Sequence, residues 1–147
     1  MNLSLSSLSS GALEGKILER LYNDGCDYKA LSPLTLAFVG DAVYDLLIRE
    51  QLVCRSNCQV GKLHKKKVDR VCCKAQAELM AKLSEHLTEE ELAIFKRGRN
   101  AHTHHVPKNA DLADYHSATG FEAMIGYVYL KGDIKRLREI FELIEKI

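Results

Sequence analysis

Apolar residues recur every three or four positions along most of this chain, and the polar punctuation between them marks the ends of helices. Ser32-Pro33 is an N-cap followed by proline at a first helical position, and the helix it opens is expected to run to about Gln51. Val60, Leu63, Val71, Ala75, Leu79 and Leu83 hold the same period and predict one long helix over roughly residues 59–85. Thr88-Glu89-Glu90-Glu91 matches a capping box and starts a short helix that Gly98 is expected to stop. Beyond the loop RGRNAHTHHVPKN, Asn109 can cap a helix through Leu130, with Gly120 as the place for a bend. Gly132-Asp133 ends it and caps a last helix whose core stripe is Ile134, Leu137, Ile140, Phe141 and Ile144. No alternating run long enough for a sheet interrupts the pattern, so the expected fold class is all-α.

Two places break the apolar logic. In LAFVGDAVYDLLI, residues 36–48, Gly40 and Asp41 stand where packing wants leucine. A glycine inside a helix costs roughly 1 kcal/mol relative to alanine, so Gly40 points to a close approach by another backbone. The neighbours of Asp41 at three and four residues are Ala37, Phe38, Tyr44 and Asp45, a mixed face of small, apolar and acidic groups. The stretch SATGFEAMIGYVYL repeats the design, with Ala118, Thr119, Ile125 and Gly126 around Glu122. An ionised carboxylate in such a setting must meet water, a cation or a base. Both acids could lie at the solvent edges of amphipathic helices. If packing instead brings Asp41 and Glu122 together, their repulsion favours a divalent cation between them. Magnesium then fits best, because it takes oxygen ligands, keeps several waters and needs only one or two carboxylates plus a phosphate.

Composition narrows the class. At 147 residues, 46% hydrophobic and 28% charged, the chain suits a single domain over 13–147 behind a mobile serine-rich leader over 1–12. Its longest apolar run is cut by Arg49, Glu50 and Gln51, short of the roughly 18 to 20 residues of a membrane span, so no membrane is expected as a partner. The leader lacks the basic start of a secretory signal, and five cysteines at irregular spacing suit a reducing cytoplasm better than a disulfide framework. Net charge is only +1, but basic residues are segregated into Lys62–Lys74 and Lys96–Lys108 and acids into SEHLTEEE and the C-terminal FELIEKI.

Taken in order, PLTLAFVGDAVYDLLIRE, KAQAEL, KRGRNA, PKN and TGFEAMIGYVYL resemble the Mini-ribonuclease III proteins, short members of the ribonuclease III family, from about Leu31 to Leu130. The resemblance implies a ribonuclease III-type helical endonuclease domain, homodimeric and magnesium-dependent. It would cut both strands of double-stranded RNA and leave 5′-phosphate ends, without an appended double-stranded-RNA-binding domain. Its expected substrate is the precursor of large-subunit (23S) ribosomal RNA, and its expected partners are that RNA, a second copy of the chain and ribosomal proteins. Asp41 takes the aspartate position of the family's LGD motif and Glu122 the glutamate of its FEA motif, as catalytic and metal-binding residues. Two further acids of the longer enzymes are replaced by Ala37 and Thr119, a departure shared with the short subfamily that weighs against a two-metal scheme. Asp45 and Thr119 are candidates for the surrounding shell, although Asp45 can also be read as an exposed acid paired with Arg49.

RNA contact is expected from Lys62, Lys66, Arg70 and Lys74, whose four-residue spacing draws one stripe along the predicted helix over 59–85. A solvated lysine face is the plainer reading of the same spacing. The loop KRGRNAHTHHVPKN holds basic residues and histidines without an acid, so Arg97, Arg99, Asn100, Lys108 and Asn109 are further candidates for RNA. His102, His104 and His105 could instead bind a transition metal, and Cys54, Cys58 and His64 could bind zinc, although free cysteine is usually a small buried hydrophobe. Tyr127 and Tyr129 read as core or dimer contacts. The rival to an enzyme is a non-catalytic RNA-binding or ribosome-assembly module using the same basic surfaces.

Overall fold

A computed structural model describes residues 20–22, 25–101 and 105–147; the leader over 1–12 lies outside them. The described residues form six α-helices and no strand: α1 (Pro33–Arg55), α2 (Val60–Val71), α3 (Cys73–Leu83), α4 (Glu89–Arg99), α5 (Leu112–Leu130) and α6 (Ile134–Lys146). None of them is long and apolar enough to cross a membrane.

The caps show why most helices begin where they do. Ser32 Oγ accepts from the Thr35 amide at 3.2 Å, and Pro33 fills the first helical position. At α4 the capping box closes both ways, Glu91 N–H to Thr88 Oγ1 at 3.2 Å and Thr88 N–H to Glu91 Oε2 at 2.9 Å. Gly132 turns the chain with φ 76°, and Asp133 caps α6 by accepting from the Arg136 amide at 3.1 Å.

Four expectations are corrected. First, α1 continues past Gln51 to Arg55. Second, the helix expected over 59–85 is two, broken where Cys72 turns extended at ψ 154° among the weak helix formers Val71, Cys72 and Cys73. The break has a packing reason, because α2 lies against α1 while α3 lies against α5, and one straight helix would not serve both. Third, Gly98 does not stop α4. It stays helical and buried, and a β-carbon there would stand 2.8 Å from Ala123 Cβ and Gly120 Cα. Fourth, α5 is capped by Asp111 rather than Asn109 and runs unbroken through Gly120, whose missing side chain admits Phe95.

The centre of the fold is α5, which packs against α1, α3, α4 and α6. From Ala118 to Val128 every residue but Glu122 is buried. Tyr44 of α1 meets Phe121 edge-on at 4.9 Å, and Tyr127 is buried against Tyr28 at 5.2 Å, while Tyr129 packs half-buried on the core. The stripe of Leu137, Ile140 and Ile144 closes α6 over the same core. A second tie holds α6 to α4. Glu91, only 5% exposed, takes Arg136 in a two-pronged pair at 2.7 and 3.0 Å, and Arg136 also donates to the His86 carbonyl. Burial pushes the Glu91 carboxyl up, but Arg136 and the Thr88 cap outweigh it and hold it below the usual range.

The crossing of α1 and α5 is the tightest contact. A β-carbon on Gly40 would stand 1.7 Å from the Glu122 carbonyl oxygen and 2.8 Å from the Gly126 nitrogen; one on Gly126 would stand 2.0 Å from the Leu36 carbonyl oxygen. The close approach expected of Gly40 is present. Gly40→Ala should therefore destabilise the protein by about 3 kcal/mol or more, at the upper end of the overpacking range. Gly61→Ala, at a helical position with nothing within 4 Å, should be neutral or stabilise by up to about 1 kcal/mol. Chemical denaturation of the two variants checks both.

Candidate active site

The glycine crossing determines where the two acids stand. Asp41 follows Gly40 on the exposed side of α1, and Glu122 belongs to the very turn of α5 whose carbonyl touches Gly40. Burial raises the Glu122 carboxyl, and repulsion from Asp41 raises it further, to about 7. Asp41 is raised chiefly by burial and then by Asp45, with Lys67 pulling the other way.

Three neighbours complete the electrostatics. Partial burial pushes Asp45 up, but Arg49 Nε at 2.5 Å and Lys67 Nζ at 3.2 Å outweigh it and hold the carboxyl below its usual range. Asp45 is thus paired with Arg49 and also bound to a second cation that reaches Asp41. Lys67 is largely covered and faces the acids rather than solvent; the period of α2 places it with Leu63 and Arg70 on the inner face, a signal available from spacing. Gln76 of α3 is fully buried, and neither its Nε2 nor its Oε1 has a hydrogen-bond partner. It comes near enough to Glu122 to favour the anion slightly without completing a hydrogen bond of ordinary geometry. Each such orphaned group costs on the order of 1–3 kcal/mol. The sign in the sequence was a glutamine at the head of the apolar spacing Gln76, Met80, Leu83. Thr119 spends its hydroxyl proton on the Tyr115 carbonyl at 3.0 Å, leaving it no proton to donate to the acids.

Among the described residues no three His, Cys, Asp or Glu side chains converge as metal ligands. A cation at Asp41 and Glu122 would rest on two carboxylates and draw its remaining ligands from water and substrate, which suits a hard ion. The zinc reading of Cys54, Cys58 and His64 is not gathered into a site. Nor are the described cysteines buried hydrophobes, since Cys54 and Cys72 are exposed and Cys26, Cys58 and Cys73 half-buried. Of the loop histidines only His105 is described; His102 and His104 lie outside the described residues.

The Ribonuclease III domain family matches residues 34–133. A Mini-ribonuclease 3 of Thermoanaerobacter sp. is 49% identical over 114 residues, covering 78% of this chain and 80% of that protein. One of Enterococcus faecalis is 47% identical over 116 residues, covering 78% and 88%. The chain belongs to the Mini-ribonuclease 3 family. It is an endoribonuclease by that membership. A crystal structure of a Fusobacterium nucleatum protein superposes with TM-score 0.73 at 31% identity, covering 83% of this chain and 98% of that one, in keeping with a ribonuclease III-type helical fold.

The candidate RNA-binding residues are distributed over three helices and the loop before α5. Lys62 and Lys66 are exposed on α2; Arg70, half-buried, donates to the Gln51 side chain. Lys74 is exposed but sits on α3, beyond the break at Cys72. The single straight stripe expected of the four is therefore bent. Arg97 and Arg99 are exposed on the last turn of α4, Arg99 lying 5.5 Å over the Phe95 ring and beside Asn100. Lys108 and Asn109 are exposed in the loop before α5.

The high Glu122 pKa carries a stability consequence. Its carboxyl has a pKa of about 7 in the folded protein and about 4.3 in an unfolded chain, so between these values the folded state holds the extra proton and gains stability as pH falls. In chelator, Glu122→Gln should therefore melt higher than wild type at pH 8, and the gap should close as pH is lowered through 7 towards 4.5. Thermal melts across that range check the sign.

Proposed function

We propose that this chain is a homodimeric, magnesium-dependent endoribonuclease that cuts both strands of double-stranded RNA in a large-subunit (23S) ribosomal RNA precursor, in the cytoplasm, with Asp41 and Glu122 holding the cation. The supporting observation is the placement of Asp41 and Glu122 at a helix crossing held by glycine, with the Glu122 carboxyl raised by burial and by Asp41. Two carboxylates kept together beside a core favour either a shared proton or a shared cation. At the pH of a cell, Mg2+ is the available hard ion that accepts two carboxylates and fills its shell with water and phosphate oxygens. When bound, it supplies positive charge at the scissile phosphate and lowers the pKa of water.

The protein's own groups do the rest. Asp41 and Glu122 set the direction from which the phosphate is approached. Lys67, anchored by Asp45, keeps a positive charge beside Asp41 as the RNA backbone arrives. Lys62, Lys66, Arg70 and Lys74, with Arg97, Arg99, Asn100, Lys108 and Asn109, would grip phosphates and 2′-hydroxyls, the features by which an A-form duplex is read. Ribosomal proteins bound to the precursor would help present it.

Dimerisation is supported by the outer face of α1. Leu34, Phe38, Ala42 and Leu46 follow at four-residue spacing, Val53 extends the face, and all are exposed, Phe38 by 81%. Phe38, Ala42 and Leu46 line a groove of about 1000 Å³ against α6, and Asp41 lines the same groove. A contiguous apolar face on a soluble domain marks an interface. A twofold contact there would place the partner next to the acid pair and present two equivalent sites to two antiparallel strands.

Two experiments test the reading. An end-labelled RNA duplex should be cut by wild type with Mg2+ and spared with chelator, and Asp41→Asn and Glu122→Gln should each lose about 100-fold or more while still binding RNA. Retained cleavage in Asp41→Asn would remove the assignment. Phe38→Glu should halve the mass seen by light scattering and leave little double-strand cleavage; an unchanged mass would place the interface elsewhere.

A further inference from the structure

Among the described residues, Gln76 is the one fully buried polar side chain beside the acid pair for which neither the fold nor the proposed chemistry has given a use. It sits near the start of α3, on the face that Met80 and Leu83 press into the core, with no exposed surface. Both polar atoms of its carboxamide lack a partner. Leucine or methionine would fill nearly the same volume without stranding a donor and an acceptor, and helix α3 would be the more stable for it. Orphaned buried groups of this kind cluster where a second state of the protein satisfies them.

The surroundings say which state that is. Several other polar groups near the pair are committed: Lys67 and Arg49 to Asp45, Arg70 to Gln51, Thr119 to the Tyr115 carbonyl. Glu122 is half-buried and makes no ion pair among the described residues, and Gln76 comes near enough to it to favour its anion. We propose that Gln76 is a positioning residue of the active site, whose carboxamide donates to one oxygen of Glu122 and so turns the other towards Asp41 when the site holds a divalent cation. Its Oε1 then faces the same small space and accepts from an ordered water there. A neutral donor suits this place. A lysine would neutralise Glu122 and compete with the cation, whereas a carboxylate would add a third repulsion to a pair that already resists ionising. Outer groups that orient a metal-ligating carboxylate in this way commonly change cation affinity or activity by about 10- to 100-fold when removed.

This rests on the reading of Asp41 and Glu122 as the cation site, and the experiment separates the two. Mg2+ is titrated calorimetrically into RNA-free wild type, Asp41→Asn, Gln76→Leu and Gln76→Met, with melting temperatures in chelator recorded alongside. The proposal expects both Gln76 variants to melt at or above the wild-type temperature in chelator, yet to bind Mg2+ about 10-fold or more weakly and to cut duplex RNA correspondingly more slowly at subsaturating Mg2+. Restoration of cleavage by excess Mg2+ would place the loss in cation binding. Variants that melt higher but bind Mg2+ and cut RNA within about twofold of wild type would overturn it and leave Gln76 a packing residue. Should both variants fail to fold, the assigned carboxamide resonances of Gln76 in wild type decide: a shift on adding Mg2+ supports the proposal and an unmoved signal refutes it. If Asp41→Asn binds Mg2+ like wild type, the cation-site reading itself has failed, whatever Gln76 does.

Discussion

Two backbones touch where α1 crosses α5, and everything at the candidate site is arranged about that contact. Gly40 and Gly126 remove the side chains that would hold the helices apart, and each would meet a carbonyl oxygen of the facing helix if it carried a β-carbon. Two glycines inside helices cost about 1 kcal/mol apiece. The return is a crossing so close that Asp41, next along α1, and Glu122, on the contacted turn of α5, feel one another's charge. A wider crossing would leave two unrelated acids on two helices.

Glu91 and Glu122 show how the surroundings decide what a glutamate becomes. Both are withdrawn from solvent on helices that pack against each other. Glu91 is met by Arg136 and by the amide of its own cap, so its charge is welcome and its carboxyl titrates low. Glu122 is raised first by burial and then by the carboxyl of Asp41, and Gln76 offsets only part of this, so it titrates at about 7. The first glutamate ties α6 to α4 and contributes to stability. The second is costly to ionise where it stands, which accords with the role proposed for it at the cation site.

The break at Cys72 belongs to the same economy of packing. Turning α3 away from α2 lets Gln76, Met80 and Leu83 reach α5 while α2 stays on α1. Lys67 is thereby left pointing inward at the acids, and Lys62 and Lys66 outward to solvent. One short basic segment thus divides its charge between the site and the surface around it.

Local chemistry along the chain was enough to determine six of the features described: the all-helical class, the Ser32, Thr88 and Asp133 caps, the apolar stripe of α6, and the demand of Gly40 for a neighbouring backbone. Each depends on groups within one or two helical turns, so periodicity and capping rules reach it. The pairing of Asp41 with Glu122 needed the resemblance to a family before the fold was known, because no rule of spacing links residues so far apart. Only tertiary structure decided which backbone meets Gly40, why Gly98 stays helical, and why the chain bends at Cys72. The roles of Lys67 and Gln76 belong with these. A helix announces which of its faces is apolar, but what that face meets depends on long-range contacts formed only when the helices pack together.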